Sequence, residues 1–188
     1  TRFAYEDLDD RARLTDDLGK IETSNKFLLS LINDVLDISK IDSGKIELNP
    51  EPYRYEEFLA NIRNMLEPLC ARKGLAFSLD SASNVPALLA DKVRLNQIAF
   101  NLLSNAVKYT PSGGRIAFRT FGGPPENGRV PCGFTVADTG IGMSEEFQKQ
   151  MFEPFTQEFT NPNHPKAETG TGLGLSIVRR LTELMGGG

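Results

Sequence analysis

The sequence has few cysteines, no long apolar run and no excess of basic residues, and each of these features excludes a class of protein. Its 188 residues contain two cysteines, Cys70 and Cys132, which are too few and too far apart for a disulfide framework or a zinc site, so free thiols are expected. Without an apolar run of about 18 residues or the apolar core of a secretion signal, a cytosolic chain with no membrane contact is expected. The net charge of −4 gives no basic field to attract nucleic acid.

The amino-terminal part of the sequence predicts one long helix. With 39% hydrophobic residues, the chain can bury one ordinary core and still carry an appended helix. Residues 11–41 contain no proline, and their apolar residues recur at steps of four and three. The stripe consists of Leu14, Leu18, Ile21, Leu28, Ile32 and Val35, widened by Leu29, Leu31, Leu36 and Ile38. A stripe this wide predicts burial on more than one side, as in a helical bundle with partner helices.

The rest of the sequence alternates predicted helices and strands, in the manner of a two-layer α/β sandwich. Helices are predicted over residues 55–73, 92–109, 144–152 and 173–185, and strands over 45–48, 75–79, 87–90, 115–121 and 129–138. Residues 156–169, with two prolines and no periodicity, are predicted to form a mobile loop. The fold class is therefore α+β, preceded by a long α-helix.

The predicted helix over residues 92–109 carries a polar face near its end. Asn101 and Asn105 are four residues apart, and Lys108 and Tyr109 follow Asn105 by three and four residues, so all four project from neighbouring parts of one face. Amide oxygens can ligate a hard cation, and a lysine ammonium can pair with phosphate. The face suits a metal-bridged polyphosphate and a stacked base, although polar pairs at this spacing are also ordinary surface features.

A carboxylate ends the last predicted strand. Phe134, Val136 and Asp138 share one face of that strand, because side chains alternate with a period of two. A carboxylate at the rim of a core needs a hydrogen-bond donor, and the exocyclic amine of a purine is one candidate. Gly140 and Gly142 follow and allow a flat ligand to approach the backbone. The alternative is a strand-end turn with an exposed aspartate.

Glycine alternates with other residues from Thr169 to Ser176, immediately before the last predicted helix. Unpaired amides at a helix N-terminus attract an anion, so a phosphate site is predicted there. The run lacks the lysine of a P-loop and follows no predicted strand. Both the P-loop fold and the dinucleotide-binding fold are therefore disfavoured.

Together these segments resemble the nucleotide site of sensor histidine kinases. Four matching segments occur in order, namely residues 101–110 (NLLSNAVKYT), 138–143 (DTGIGM), 152–155 (FEPF) and 170–175 (GTGLGL). The long helix ends in LINDVLDISKI at residues 31–41, which is similar to the second helix of that family's dimerisation and phosphoacceptor hairpin. The resemblance implies the Bergerat-type ATP-binding fold, a mixed sheet with helices on one face. It assigns residues 1–44 to a partial dimerisation region and residues 45–188 to the catalytic domain.

The resemblance also implies a role for each matching residue. Asn101 and Asn105 would hold the Mg²⁺ that bridges the ATP phosphates. Lys108 would contact a phosphate, and Tyr109 would pack on the nucleotide. Asp138 would accept a hydrogen bond from the adenine amino group. The remaining implied contacts are Gly140, Ile141 and Gly142 beside the base, Phe152 and Phe155 at the near end of a lid over ATP, and Gly170, Thr171, Gly172, Leu173 and Gly174 around the phosphates.

The activity implied by the resemblance is transfer of the γ-phosphoryl group of Mg-ATP to a histidine. The phosphoryl group would then pass from the histidine to an aspartate of a response-regulator receiver domain. The intact kinase would form a homodimer through its helix bundle. The one histidine, His164, lies in loop sequence unlike the helical acceptor motif, so the acceptor is expected before Thr1. We therefore expect ATP binding without autophosphorylation by this piece, and we expect both ends of the sequence to be cut.

Three alternatives remain open at this point. An ATPase of the same superfamily would share the nucleotide segments but would not need the long striped helix, and a serine-directed kinase of the anti-sigma type would also lack that helix. A nucleotide-sensing module would bind ATP without catalysis, although the presence of every segment argues against it. Supplying a separate acceptor helix distinguishes the kinases, because phosphohistidine is acid-labile and a phosphoester is stable.

Overall fold

The chain forms two units, Thr1–Lys45 and Ile46–Gly188. The computed structural model describes residues 11–81, 85–125, 130–158 and 170–188. His164 and most of the predicted mobile loop lie outside the described residues. Within the described ranges, no helix is both long enough and apolar enough to cross a membrane.

In the first unit the chain forms helix α1 (Arg11–Asp42), which confirms the predicted long helix. Much of its apolar stripe faces solvent in this unit. Large apolar side chains that are between 39% and 61% exposed are Leu18, Leu28, Leu29, Ile32, Val35 and Leu36. The unit by itself therefore leaves the stripe without the burial that its width predicted.

The second unit contains the alternating helices and strands. Its elements are β1 (Glu51–Arg54), α2 (Tyr55–Lys73), β2 (Ala76–Ser81), β3 (Ala87–Ala90), α3 (Lys92–Tyr109), β4 (Arg115–Gly122), β5 (Cys132–Asp138), α4 (Glu145–Gln148) and α5 (Gly174–Leu184). Strands β2, β4 and β5 form a sheet in that order, with β2 parallel and β5 antiparallel to β4. Strands β1 and β3 pair antiparallel. The sheet is mixed, as the resemblance implied, and the predicted bounds of α2 and α3 are confirmed.

The main core lies between α2, α3 and the three-stranded sheet. Ile116 and Phe118 of β4 are 1% and 0% exposed, and the Phe58 ring of α2 meets the Phe118 ring at 6.1 Å between centroids. Burial of each such side chain contributes about 1.5–3 kcal/mol. Both cysteines are free thiols, Cys70 buried and Cys132 exposed, as predicted. Burial raises the pKa of the Cys70 thiol.

The amino end of α3 is capped by Asp91. Its carboxylate accepts hydrogen bonds from the amides of Val93 and Arg94, both at 3.0 Å, and from the amide of Asn49 at 3.1 Å. Burial alone would raise the pKa of Asp91, but these backbone hydrogen bonds outweigh burial and lower it. The cap fixes where α3 begins.

The carboxyl end of α3 is held by a lysine from α2. The ammonium of Lys73 donates to the carbonyls of Val107 and Lys108, each at 2.7 Å. These carbonyls belong to the last turn, which has no intrahelical donors and carries the negative end of the helix dipole. Lys73 therefore stabilises the turn of α3 that carries the predicted site residues.

The predicted strand over residues 45–48 was wrong. The first strand is β1, which contains Pro52, a residue that the prediction treated as a break. Register pairs Pro52 with Leu89, and the next residue, Tyr53, is 2% exposed. Proline is tolerated here because, among the described residues, each strand of the β1–β3 pair has a single neighbouring strand, and at an edge a missing N–H disrupts no ladder.

The predicted helix over residues 144–152 was too long. Helix α4 spans only Glu145–Gln148, and the chain continues through i→i+3 hydrogen bonds, from the amide of Gln150 to Phe147 O and from that of Glu153 to Gln150 O. The residue before a proline is disfavoured in the α region. Glu153 precedes Pro154, so the α conformation is disfavoured at Glu153, and residues 149–153 form turns and a bend in place of further α-helix.

Candidate nucleotide site

The carboxyl-terminal half of α3 is the centre of the site. The carbonyl of Tyr109 accepts a hydrogen bond from the amide of Ile141 at 3.2 Å, which joins α3 to the loop after β5. The Lys108 ammonium lies 4.7 Å from the centre of the Tyr109 ring. At the start of α5, a Cβ added to Gly174 would lie 3.7 Å from Asn101 Oδ1. The end of α3 therefore adjoins two of the other three matching segments, residues 138–143 and residues 170–175.

Asp138 lies at the end of β5, on the face of the strand that was predicted. It pairs with Ile116, which is buried in the core, so the two side chains share one face of the sheet. The carboxylate is exposed, and its Oδ1 accepts a hydrogen bond from the amide of Gly140 at 2.8 Å. This bond orients the carboxylate and leaves Oδ2 able to accept from a ligand.

Gly140 occupies a position where a side chain does not fit. A Cβ there would lie 2.6 Å from Asp138 Oδ1 and 2.7 Å from Tyr109 O. Close packing of this backbone against α3 therefore requires glycine. Gly142, two residues on, has a φ of 70°, and none of the described residues beyond its chain neighbours would lie within 4 Å of a Cβ there. The loop combines one crowded glycine with one exposed glycine, and Ile141 between them is partly buried.

The glycine run before α5 lies against α3 and against residues 155–156. A Cβ added to Gly170 would lie 3.0 Å from Lys108 Nζ. One added to Gly172 would lie 2.8 Å from the carbonyl carbon of Phe155 and 3.0 Å from Thr156 O. Phe155 itself has a φ of 62° and is 65% exposed. The backbone of Phe155, rather than a buried ring, is what meets the glycine run.

The amino end of α5 provides backbone amides for an anion. No side chain from the described residues caps the helix at Leu173. The Leu173 amide donates to Thr171 Oγ1 at 3.2 Å, and the Leu173 side chain is fully buried, so its predicted contact with a nucleotide would have to be made by backbone. First-turn amides have no acceptor within a helix, and the helix dipole favours negative charge beside them.

The two asparagines of α3 are suited to a cation that arrives with a polyphosphate. Both are partly buried, and Asn101 Nδ2 is a buried atom without a hydrogen-bond partner among the described residues. An unmet buried donor costs about 1–3 kcal/mol, which a phosphate oxygen would recover. The described ranges contain no cluster of three or more His, Cys, Asp or Glu that could bind a metal alone. Amide, phosphate and water oxygens match the ligands that Mg²⁺ prefers, so the residues present fit this ion.

Two neighbouring residues at the site were missed by the reasoning from sequence. Gln157 Nε2 donates to Gly170 O at 2.7 Å, and Glu158 Oε1 accepts from the amide of Ser144 at 3.1 Å. Glu158 is only 9% exposed. Both residues fall within the predicted mobile loop, and no pattern in the sequence distinguishes a buried glutamate there from a solvated one.

Comparison with known proteins places the chain among ATPases. A family model described as "Histidine kinase-, DNA gyrase B-, and HSP90-like ATPase" matches residues 90–188, more than half of the chain. Autoinducer 2 sensor kinase/phosphatase LuxQ of Vibrio parahaemolyticus is 37% identical over 169 residues, which cover 87% of this chain and 19% of LuxQ. Virulence sensor protein BvgS of Bordetella parapertussis is 39% identical over 165 residues, which cover 87% of this chain and 13% of BvgS.

A solved structure gives the same result for the fold. Full-length ShkA in complex with AMPPNP aligns with a TM-score of 0.73 at 35% identity, over 92% of this chain and 34% of ShkA. The chain spans less than a fifth of the length of LuxQ and BvgS. These matches confirm the ATP-binding fold and the resemblance inferred from the four segments. The chain therefore belongs to the histidine kinase-, DNA gyrase B- and HSP90-like ATPase family, as a catalytic domain of the sensor histidine kinase type.

Proposed function

We propose that this domain binds Mg-ATP and presents its γ-phosphoryl group to a histidine outside this chain, for relay to an aspartate of a response-regulator receiver domain. The observation that carries the proposal is the junction at the end of α3. There, Tyr109 O bonds to the loop after Asp138, while Lys108 lies beside Gly170 of the glycine run. A base-recognising carboxylate and a phosphate-binding helix start are thus held against one helix.

On the base side, Asp138 is the residue that recognises adenine. With Oδ1 engaged by the Gly140 amide, Oδ2 accepts a hydrogen bond from the exocyclic amino group. Ile141 and Gly142 would line the base plane, and Tyr109 would pack against the nucleotide. A hydrogen bond to a charged group contributes about 1.5–3 kcal/mol, so this contact should account for a large share of affinity.

On the phosphate side, the chain supplies charge and amides. Lys108 neutralises one phosphate oxygen, and the first-turn amides of α5 donate to other phosphate oxygens. Residues 170–174 can pass close to the phosphates because glycine alternates there. Asn105 and Asn101 would hold Mg²⁺, which would supply positive charge to neutralise the phosphates. Phosphoryl transfer depends mainly on positioning and charge neutralisation, which these residues provide.

Calorimetric titration with Mg-AMPPNP tests the binding half of the proposal. The unmodified chain should bind saturably, and Asp138→Ala should weaken binding about 10- to 150-fold, the equivalent of the lost charged hydrogen bond. Asp80→Ala is the matched control, because Asp80 is an exposed aspartate of the same sheet that pairs with Arg119 at 3.2 Å. Asn105→Ala should remove the magnesium dependence, and Asn64→Ala, on the exposed face of α2, should not.

The transfer half is tested by adding a separate acceptor-helix peptide and labelled ATP. An acid-labile, base-stable phosphopeptide supports the proposal. An acid-stable ester would instead indicate a serine-directed kinase, and ATP hydrolysis without any labelled peptide would indicate an ATPase.

In the calorimetric titration, equal affinities of Asp138→Ala and Asp80→Ala for the nucleotide would contradict the base-recognition role of Asp138.

We also propose that the exposed stripe of α1 pairs with a second copy of the chain in the intact protein. The support is the exposure of six large apolar side chains along one helix. Sedimentation velocity over a range of concentrations should show self-association that Ile32→Glu weakens, because a charge on the stripe opposes apolar contact. A strict monomer at high concentration would contradict this pairing.

A further inference from the structure

We propose that Gln157 and Glu158 act as a clamp between two parts of the site, an inference that rests on the proposed nucleotide site. The clamp couples the base side, residues 138–143, to the phosphate side, residues 170–174. The two residues are adjacent, yet their side chains bond to opposite parts of the site. Gln157 bonds to Gly170, 13 residues ahead, and Glu158 bonds to Ser144, 14 residues behind. Neither residue is assigned a role by the four segments that resemble the family.

The Glu158 half of the clamp is a buried carboxylate. Glu158 is 9% exposed, and burial of a carboxylate costs free energy unless it is hydrogen-bonded. Its hydrogen bond therefore specifies the position of its side chain. Its partner, the amide of Ser144, follows directly after Gly142 and Met143 of the base-side loop. The Ser144 hydroxyl caps α4 by accepting from the amide of Phe147 at 3.2 Å. Glu158 therefore holds the point where the base-side loop ends and α4 begins.

The Gln157 half of the clamp orients the glycine run. Its side-chain amide is partly buried and donates to Gly170 O, in the same residue that lies beside Lys108 Nζ. In a trans peptide the C=O and N–H point in opposite directions, so fixing the Gly170 carbonyl also fixes the direction of the Thr171 N–H. The close contact of Gly172 with residues 155–156 continues this junction. Gln157 is thus a positioning residue for the backbone expected to meet the phosphates.

The two halves share one backbone segment, which is why they should act together. A shift of residues 157–158 that breaks the bond to Ser144 also moves the donor away from Gly170. Binding of the base at one end should therefore favour the phosphate-binding arrangement at the other. Residues that belong to one hydrogen-bonded unit show non-additive effects when they are changed singly and together.

The test measures affinities of the whole chain for Mg-AMPPNP and for AMP, which lacks the β- and γ-phosphates. Gln157→Ala should weaken Mg-AMPPNP binding about fivefold, the equivalent of one hydrogen bond, and leave AMP binding unchanged. Gln157→Glu should weaken it more, because a carboxylate would face the Gly170 carbonyl. Gln150→Glu, an equal charge change on an exposed glutamine after α4, is the control and should bind both nucleotides normally. Gln157→Met keeps the side-chain length and removes the amide that donates to Gly170, so it gives the answer if the alanine variant does not fold.

The coupling is tested by changing Glu158. Glu158→Ala should weaken both nucleotides, Glu158→Gln should restore binding by retaining an acceptor for Ser144, and the double variant of Gln157→Ala with Glu158→Ala should lose less than the product of the single losses. Equal losses of AMP and Mg-AMPPNP in Gln157→Ala, native affinities for both, or strictly multiplicative effects would each overturn the clamp. Absence of Mg-AMPPNP binding by the unmodified chain would instead count against the nucleotide site itself.

Discussion

Replacement of Gly172 by alanine is a direct test of how the glycine run is held. Gly172 has a φ of 72°, and a Cβ there would lie 2.8 Å from the carbonyl carbon of Phe155 and 3.0 Å from Phe155 Cα and Thr156 O. All three atoms belong to backbone, which cannot move aside as the tip of a flexible side chain would. The methyl group must therefore separate the glycine run from residues 155–156.

The size of the effect follows from two contributions. An L-residue in the left-handed region costs about 1–2 kcal/mol, and an added methyl in a closely packed position costs about 1–3 kcal/mol. Gly113 separates the two contributions, because its φ is 83° and, apart from its chain neighbours, no described residue has an atom within 4 Å of an added Cβ. Gly113→Ala should therefore show the backbone strain alone. The difference between the variants, about 1–3 kcal/mol, corresponds to about 5- to 150-fold in an equilibrium constant.

The assay combines urea unfolding with calorimetric titration of Mg-AMPPNP. If nucleotide binding needs the glycine run against residues 155–156, Gly172→Ala should lose affinity by about 5- to 150-fold. Gly113→Ala should unfold at lower urea and bind the nucleotide as the unmodified chain does. Native affinity in both variants would refute the reasoning, because it would mean that this contact does not shape the phosphate site.

Three further predictions concern the supports of the domain. Asp91→Ala should lower the free energy of unfolding by about 1 kcal/mol at pH 7. The pKa of Asp91 is lower in the folded state than its unfolded value of about 4, so its contribution to stability is present above about pH 4. The contribution disappears as the pH falls through the folded-state pKa. The urea unfolding midpoints of the native chain and the variant should therefore converge in acid. Lys73→Met should cost about 1–2 kcal/mol by leaving two carbonyls of α3 without a donor, whereas exposed Arg72→Met should stay within about 0.5 kcal/mol. Tyr55→Phe should cost about 1–3 kcal/mol, because the Tyr55 hydroxyl bonds to Ser81 Oγ at 2.9 Å and also to the buried Thr120 Oγ1. It should leave nucleotide affinity unchanged, since both bonds lie at the end of the sheet away from the site.

The local sequence pattern predicted a helix or strand correctly where the residues of that element alone specify it. Helices α2 and α3 begin and end where they were predicted, and β4 and β5 form where strands were predicted. The strand predicted over residues 45–48 failed because four alternating residues carry little information about pairing. Whether such a segment becomes a strand depends on a distant partner, and β3 pairs with residues 51–54 instead.

The sequence by itself determined the family and the local geometry of the site. A helix period of 3.6 puts Asn101, Asn105 and Lys108 on one face, and a strand period of 2 puts Asp138 on the core face, whatever the rest of the chain does. Only the tertiary structure decided which distant segments meet these residues. Lys108 lies beside Gly170 because the packing of α5 against α3 brings them together. Glu158 is buried and bonds to Ser144, 14 residues earlier in the chain, and no local pattern of side chains encodes such burial or such a bond.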